Sequence, residues 1–263
     1  MSFPNPSSLL TNATFNASSY QQYVSNKTGP YASTRGNTGA FLSLPMINSN
    51  YTGTVSALSA QNASAYLPSA YADAGLLAGF KAQRTLLIQA LSSNKSAVHE
   101  FPFNGGGRAT AALQKPLSRG TITLDPKNPA GPPVVQYNTL MNPTDSSIFI
   151  AMLRYTRRYF STSAMSKFGP VEATPGVQYQ TDDEIITALK AGVLQPSWAH
   201  PSGTCAMMPK NLGGCVGSDL LVYGVKNLSV VDASIMPLIV GAHLQETQYA
   251  IAEKAADLIK ARA

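Results

Sequence analysis

From Ser197 to Lys260 the chain runs without a break through a polar loop, a short β-prone stretch and a long amphipathic helix, and any fold must accommodate that block. The run NLSVVDA ends on Asp232 and Ala233 and leads into a Pro-containing turn. The helix then opens near Leu244, with Ile251, Ala255, Leu258, Ile259 and Arg262 marking out one face. Glu246 in its first turn and Lys260 near its end suit the helix dipole. A strand tip, a carboxylate and a helix N-terminus therefore meet within a short span, a natural place to hold a polar, partly anionic group. The same block carries His200, His243, both cysteines and the single tryptophan.

Upstream the pattern is less regular. Residues 1 to about 70 are polar, with Lys27 and Arg35 as the only charges before Asp73, and show no strong period of 2 or 3.6. They read as surface loops and short segments lying on something larger. Leu76, Leu77, Phe80, Leu87 and Leu91 recur at helical spacing and predict a helix over 70–92. Asn104 to Gly107 reads as a glycine turn; it lacks the third glycine of a dinucleotide fingerprint. SRGTITL (118–124) and PPVVQYN (132–138) read as two strands. A helix is expected from about Thr144 to Phe160, capped by Thr144 or Asp145 and turning Ile148, Leu153 and Tyr159 inward. Thr181 and Glu184 form a capping box that opens a short helix ending near Gly192.

Composition narrows the function classes. With 44% hydrophobic residues the chain can build a core, and a net charge of +6 from scattered Lys and Arg is not the clustered footprint of a nucleic-acid binder. No stretch reaches the length of a membrane span, and the first residues lack the basic and apolar regions of a signal peptide. Cys205 and Cys215 read as two buried or half-buried thiols, with a single bridge as the alternative. Asn12, Asn16, Asn26, Asn50, Asn62, Asn94 and Asn227 each open an Asn-x-Ser/Thr triplet, as in a protein whose full-length form is secreted. Asn227 borders the apolar run and is expected to stay unmodified.

His200 and His243 are the main candidates for chemistry, since a neutral imidazole takes a hydroxyl proton near pH 7 and a second can orient the substrate oxygen. Taken singly, each is more often a satisfied structural histidine. Zinc templates do not fit, because the chain has neither CxxC nor HxxxH, and no G-x-S-x-G elbow supports a serine hydrolase.

Taken together, HPSGTCAMMP, VYGVKNLSVVDASIMP and GAHLQETQYAIAEKAADLIK, with SRGTITL before them, closely resemble the C-terminal signature of the glucose-methanol-choline (GMC) oxidoreductases. NKTGPYAS resembles part of the family's substrate domain. The resemblance implies an α+β fold: a mixed or antiparallel substrate-domain sheet with flanking helices, plus the last strand and helix of the FAD domain, without the N-terminal Rossmann segment. It divides the chain into a partial substrate-domain region, 1–115, and a C-terminal domain, 116–263. It implies FAD as cofactor, a small-molecule alcohol as substrate, and an N-terminal FAD-binding segment as the missing partner. His200 matches the first active-site histidine and His243 the second, which places the chain in the His/His branch. Asp232 and Ala233 match residues along the ribityl and diphosphate, and Leu244, Gln245 and Thr247 match the turn beside the flavin ring. The implied reaction is removal of the alcohol proton with hydride transfer to flavin N5. Two alternatives remain: an inactive remnant serving as a binding module, and a flavin-containing, non-redox cyclase like one among the fungal secondary-metabolism members that the C-terminal helix resembles.

Overall fold

The computed structural model describes residues 7–33, 39–102 and 109–262; the glycine turn expected at 104–107 lies outside them. Helices α1 (Ser8–Thr11) and α2 (Ala13–Asn26) precede strand β1 (Gly39–Leu42), followed by α3 (Leu44–Ile47), α4 (Tyr51–Ala60) and α5 (Ala74–Leu91). Strands β2 (His99–Pro102), β3 (Ala112–Leu113), β4 (Thr121–Thr123) and β5 (Val134–Gln136) come next, then α6 (Pro143–Ser161), α7 (Ser163–Ser166), α8 (Asp182–Ala188) and α9 (Leu244–Lys260). The α+β class is as the sequence predicts. The described residues among the polar first 70, however, are largely helical rather than loop. Asn12 caps α2 by accepting the Phe15 N–H at 2.9 Å, and α2 buries only Ser19, so no apolar stripe announced it.

β1, β2 and β3 form an antiparallel sheet in that order, pairing Phe41 with Glu100 and His99 with Leu113. Alternation along β2 sends His99 and Phe101 to one face and Glu100 to the other. On the first face His99 and Phe101 meet Tyr155 of α6 edge-on, with ring centroids 6.1 and 6.3 Å away. Leu44, Ile47, Leu58, Leu87, Leu91, Val98, Leu117, Ile148 and Met152 close into the core that joins α3, α4, α5 and α6.

α5 begins at Ala74 instead of residue 70 because Asp73 caps it, accepting the Leu76 N–H, while 69–72 forms a separate 3-10 turn. Gly79 lets α5 press against the Leu212 carbonyl, which a Cβ there would meet at 2.1 Å. α6 is capped by Asn142, not by Thr144 or Asp145, with Pro143 in its first turn. Asp145 is committed elsewhere: its buried carboxylate accepts the N–H groups of Leu117 and Ser118 at 2.7 and 2.8 Å, pinning the start of the β4–β5 segment to α6. Ile148 is fully buried as expected, whereas Leu153 and Tyr159 are half-buried. The capping box of Thr181 and Glu184 forms as predicted, and Gly192 breaks the helical path at φ 120°.

β4 and β5 fall where two strands were expected, though with fewer residues, and pair antiparallel with Ile122 opposite Val135. NLSVVDA forms no strand among the described residues. Ser229 makes one bridge to Leu221, and Asp232 ends the run by capping a 3-10 turn at Ala233–Ile235. Its backbone pairs with residues 220–222 through Leu228 and Val230, and the turn that follows it lies against the 203–207 loop, with Cys205 and Met207 donating to the carbonyls of Ser234 and Ile235 at 2.9 and 2.8 Å. A second core of Val216, Leu220, Ile235 and Ala255, flanked by Ile251 and Leu258, docks α9 here; Ile259, expected on that face, is 46% exposed. Cys205 and Cys215 are joined in a disulfide, so the free-thiol reading does not hold. No described helix is long and apolar enough to cross a membrane.

His99 is fully buried and neither ring nitrogen has a partner among the described residues. Burial lowers its pKa from 6.5 to about 4, so the folded protein holds it neutral while the unfolded chain binds a proton below pH 6.5. The group costs no stability above pH 6.5 and about 3 kcal/mol by pH 4, lost progressively as pH falls through that window. His99→Phe, which keeps the aromatic packing and removes the titrating nitrogens, is expected to melt at a higher temperature than the parent at pH 5, with a smaller difference at pH 8. Equal shifts at both pH values would rule out titration of His99 as the cause.

Candidate active site

His200 stands in a tight loop that Ser197 closes by accepting the His200 N–H at 3.2 Å. Ala199 between them takes φ 55°, the left-handed region that costs a non-glycine residue about 1 kcal/mol. That turn places Trp198 and His200 on either hand of one ring: His243 lies 6.0 Å from Trp198 and 5.2 Å from His200, centroid to centroid. His243 is itself the residue before α9, in extended conformation and making no side-chain cap. The loop after His200 is fixed by its ladder to residues 233–235 and by the disulfide, and Gly203, at φ 80°, donates its N–H to the Ala233 carbonyl. The structure thus brings the two candidate histidines together across 43 residues of sequence.

The residue that the sequence reading missed is Glu100. Its side chain is 4% exposed on the sheet face opposite His99, and its two oxygens are both engaged: Oε1 lies 2.6 Å from His243 Nε2, and Oε2 accepts from Gln114 Nε2 at 2.6 Å. A carboxylate accepts, so Nε2 of His243 carries hydrogen and Nδ1 is the nitrogen left to face outward. The available signal was HEFPF, a carboxylate within an apolar strand, which is costly to bury without a partner. Two further contacts hold the loop that leads to His243. Gln83 of α5 donates to the Pro237 carbonyl at 2.7 Å, and Lys115 donates to the Ile239 carbonyl at 2.9 Å. Lys115 and Gly241 also line a polar cavity of about 440 Å³ with Ser43, Asn94 and Lys95.

Burial lowers the pKa of His200, and the His243 charge lowers it further, while Glu100 opposes both. The imidazole is therefore neutral at pH 7, the form that accepts a proton. Asp232 is exposed, its carboxylate accepting the Ser234 N–H at 2.8 Å and the Ser234 hydroxyl. Leu244 is buried, while Gln245 and Thr247 occupy the first turn of α9 with partial or full exposure. Among the described residues the first N–H groups of α9 receive no side-chain cap, and Gln248 keeps a buried Oε1 without a partner while its Nε2 donates to the Val231 carbonyl. An uncapped helix start directly after His243, with an exposed carboxylate at Asp232 and an orphan amide oxygen at Gln248, gives donors and acceptors of the kind that fit the polar ring edge and ribityl hydroxyls of a flavin.

The sequence profile of the GMC oxidoreductases matches residues 116–252, and the chain belongs to that family. Dehydrogenase xptC of Emericella nidulans is 34% identical over 185 residues, covering 70% of this chain and 30% of that protein. A solved FAD-dependent oxidoreductase from Chaetomium thermophilum superposes over 99% of this chain and 45% of its own, with a TM-score of 0.89 and 35% identity. A fungal aryl-alcohol oxidase does so over 98% and 44%, with a TM-score of 0.83 and 34% identity. The chain thus spans less than half the length of these proteins, and its fold is that of the family's C-terminal part.

Glu100→Gln retains a hydrogen-bonding side chain at His243 but removes the charge that holds up the His200 pKa. The His200 ring signal, followed by NMR across pH, is expected to titrate lower in the variant than in the parent. An unmoved titration would mean that the Glu100 charge is not felt at the histidine pair.

Proposed function

We propose that this chain is the active-site portion of a flavoenzyme that oxidises the CH–OH group of a small-molecule alcohol. The observation that carries the reading is the pair of imidazoles 5.2 Å apart, one held by a buried carboxylate, at the start of α9. His200, neutral at pH 7, takes the proton of the substrate hydroxyl. His243, anchored through Nε2 by Glu100, is the second imidazole at that oxygen and orients it by donating from Nδ1 when both ring nitrogens carry hydrogen. FAD, when bound, supplies the two-electron acceptor for the hydride that leaves the carbinol carbon. Asp232 and Ala233 would lie along its ribityl and diphosphate, and Leu244, Gln245 and Thr247 beside its ring, where the α9 N-terminus favours negative charge. The Trp198 ring, 41% exposed, lies 6.0 Å from that of His243, which is itself open to solvent.

The region 1–115 contributes Glu100 and Lys115 from the substrate side, and 116–263 supplies both histidines and the flavin-facing turn. Tyr249 on α9, 68% exposed, and Leu228, 48% exposed, belong to the surface that a FAD-binding segment would cover. Secretion of the full-length protein and a place in fungal secondary metabolism complete the reading. The sequence resemblance and the alcohol oxidase and dehydrogenase names among the relatives support it.

The test is the visible spectrum of the protein after incubation with FAD and gel filtration, followed by anaerobic addition of alcohols. A retained flavin band that bleaches with an alcohol is expected. Retention without bleaching by any alcohol would favour the non-redox cyclase, and no retention would favour a remnant that serves as a binding module. In FAD-loaded protein, His200→Ala should slow bleaching by roughly a hundredfold or more, the scale of a lost general base; an unchanged rate would remove His200 from the proton step.

A further inference from the structure

Seven of the fifteen asparagines open an Asn-x-Ser/Thr triplet, six of them before residue 95. With 47 Ser and Thr in 263 residues, chance would place about three. A triplet can carry a glycan in the folded protein only where its asparagine is open to solvent, and the structure sorts the seven by residue exposure. Asn12, Asn26, Asn50, Asn62, Asn94 and Asn227 are exposed. Asn26 ends α2, Asn50 stands immediately before α4, and Asn227 sits in a left-handed turn at φ 59°. At Asn12 and Asn62 the recorded hydrogen bonds use only Oδ1: the first takes the Phe15 N–H, the second both the N–H and the hydroxyl of Ser64, the last residue of its own triplet. Asn16 differs. It is half-buried within α2, and the Tyr31 hydroxyl donates to its Oδ1 at 2.5 Å.

A second, independent observation points to the same compartment. The Cys205–Cys215 disulfide belongs to a protein matured under oxidising conditions, since such bridges are rare where glutathione keeps thiols reduced. We infer that this protein matures in the oxidising secretory route and carries N-linked oligosaccharides on Asn12, Asn26, Asn50, Asn62, Asn94 and Asn227, with Asn16 bare. In each transfer Nδ2 forms a bond to the anomeric carbon of a lipid-diphosphate-linked oligosaccharide, the lipid diphosphate leaves, and the Nδ2 proton passes to a base on the transferase. The bridge forms as two thiols give two electrons and two protons to the compartment's disulfide-exchange oxidant. Asn227 is included against the expectation from sequence, because the apolar strand that would have hidden it does not form. The glycan on Asn26 stands one helical turn from the exposed Tyr23 and covers apolar surface that few charged residues keep soluble. The inference stands whether or not the chain binds FAD.

The test uses the protein isolated from the cells that make it. Peptides are mapped by mass after enzymatic deglycosylation in heavy-oxygen water, and thiols are counted in denaturant with and without reductant. Label on most of the six exposed asparagines, none on Asn16, and two thiols only after reduction are expected. Asn62→Gln should remove one glycan's mass and leave the other sites labelled. Unlabelled asparagines throughout, or two thiols reactive without reductant, would overturn secretory maturation. Label on Asn16 with the exposed sites empty would overturn the sorting by exposure.

Discussion

The contact of Glu100 with His243 is the one on which the site depends, because among the described residues it joins the histidine pair directly to the sheet. The two residues are 143 apart in sequence, and the carboxylate is almost fully enclosed. A buried carboxylate with one partner removed is a heavy penalty, several kcal/mol in general, so the sheet and the α9 segment hold each other in place. Gln83 and Lys115 repeat the arrangement at Pro237 and Ile239, each tying the approach to His243 to the upstream half. Three polar tethers on one short loop leave the imidazole little freedom to drift, and freedom of that kind is what orientation in a catalytic site has to remove. Glu100 also works at a distance on His200, opposing the burial that drives its pKa down. One carboxylate therefore sets both the position of one ring and the basicity of its neighbour.

His200 is positioned by different means. No helix or sheet strand carries it. Its loop is laid along residues 233–235 by a short run of backbone hydrogen bonds, stitched by the disulfide, and bent at Ala199 into a conformation that an alanine adopts only under constraint. The second core lies directly beneath, with Ile235 and Val216 packed against Ala255 of α9. Packing of α9 thus serves both histidines, since its first residue follows His243 and its buried face supports the turn against which the His200 loop is laid.

Much of this was legible from sequence where a local rule decides the outcome. The capping box at Thr181, the start of α9 at Leu244 and the strands β4 and β5 follow from chemistry within a few residues, and the ordered C-terminal motifs pointed to both histidines. What escaped was decided by contacts across the chain. Asp145 reads as a helix cap, yet its carboxylate is recruited by Leu117 and Ser118, and the cap passes to Asn142. The run ending at Asp232 has strand composition, but its backbone pairs only briefly with residues 220–222, through Leu228 and Val230, and the 203–207 loop takes the carbonyls of Ala233, Ser234 and Ile235 that follow it. Glu100 looked like any charged residue, because the histidine that explains it lies 143 positions away.

The two faces of β2 show why this strand serves opposite ends within four residues. His99 points into an aromatic pocket with both nitrogens unmet, and Glu100, next to it, points to a histidine that meets its charge. A sheet alternates its side chains whatever their chemistry, so placing Glu100 beneath the site obliges residue 99 to enter the core. A histidine there keeps ring packing against Phe101 and Tyr155 at the cost of acid stability. The register that completes the site is thus the same register that makes the core sensitive to pH, and moving β2 by one residue would put His99 beneath His243 and Glu100 among the aromatic rings.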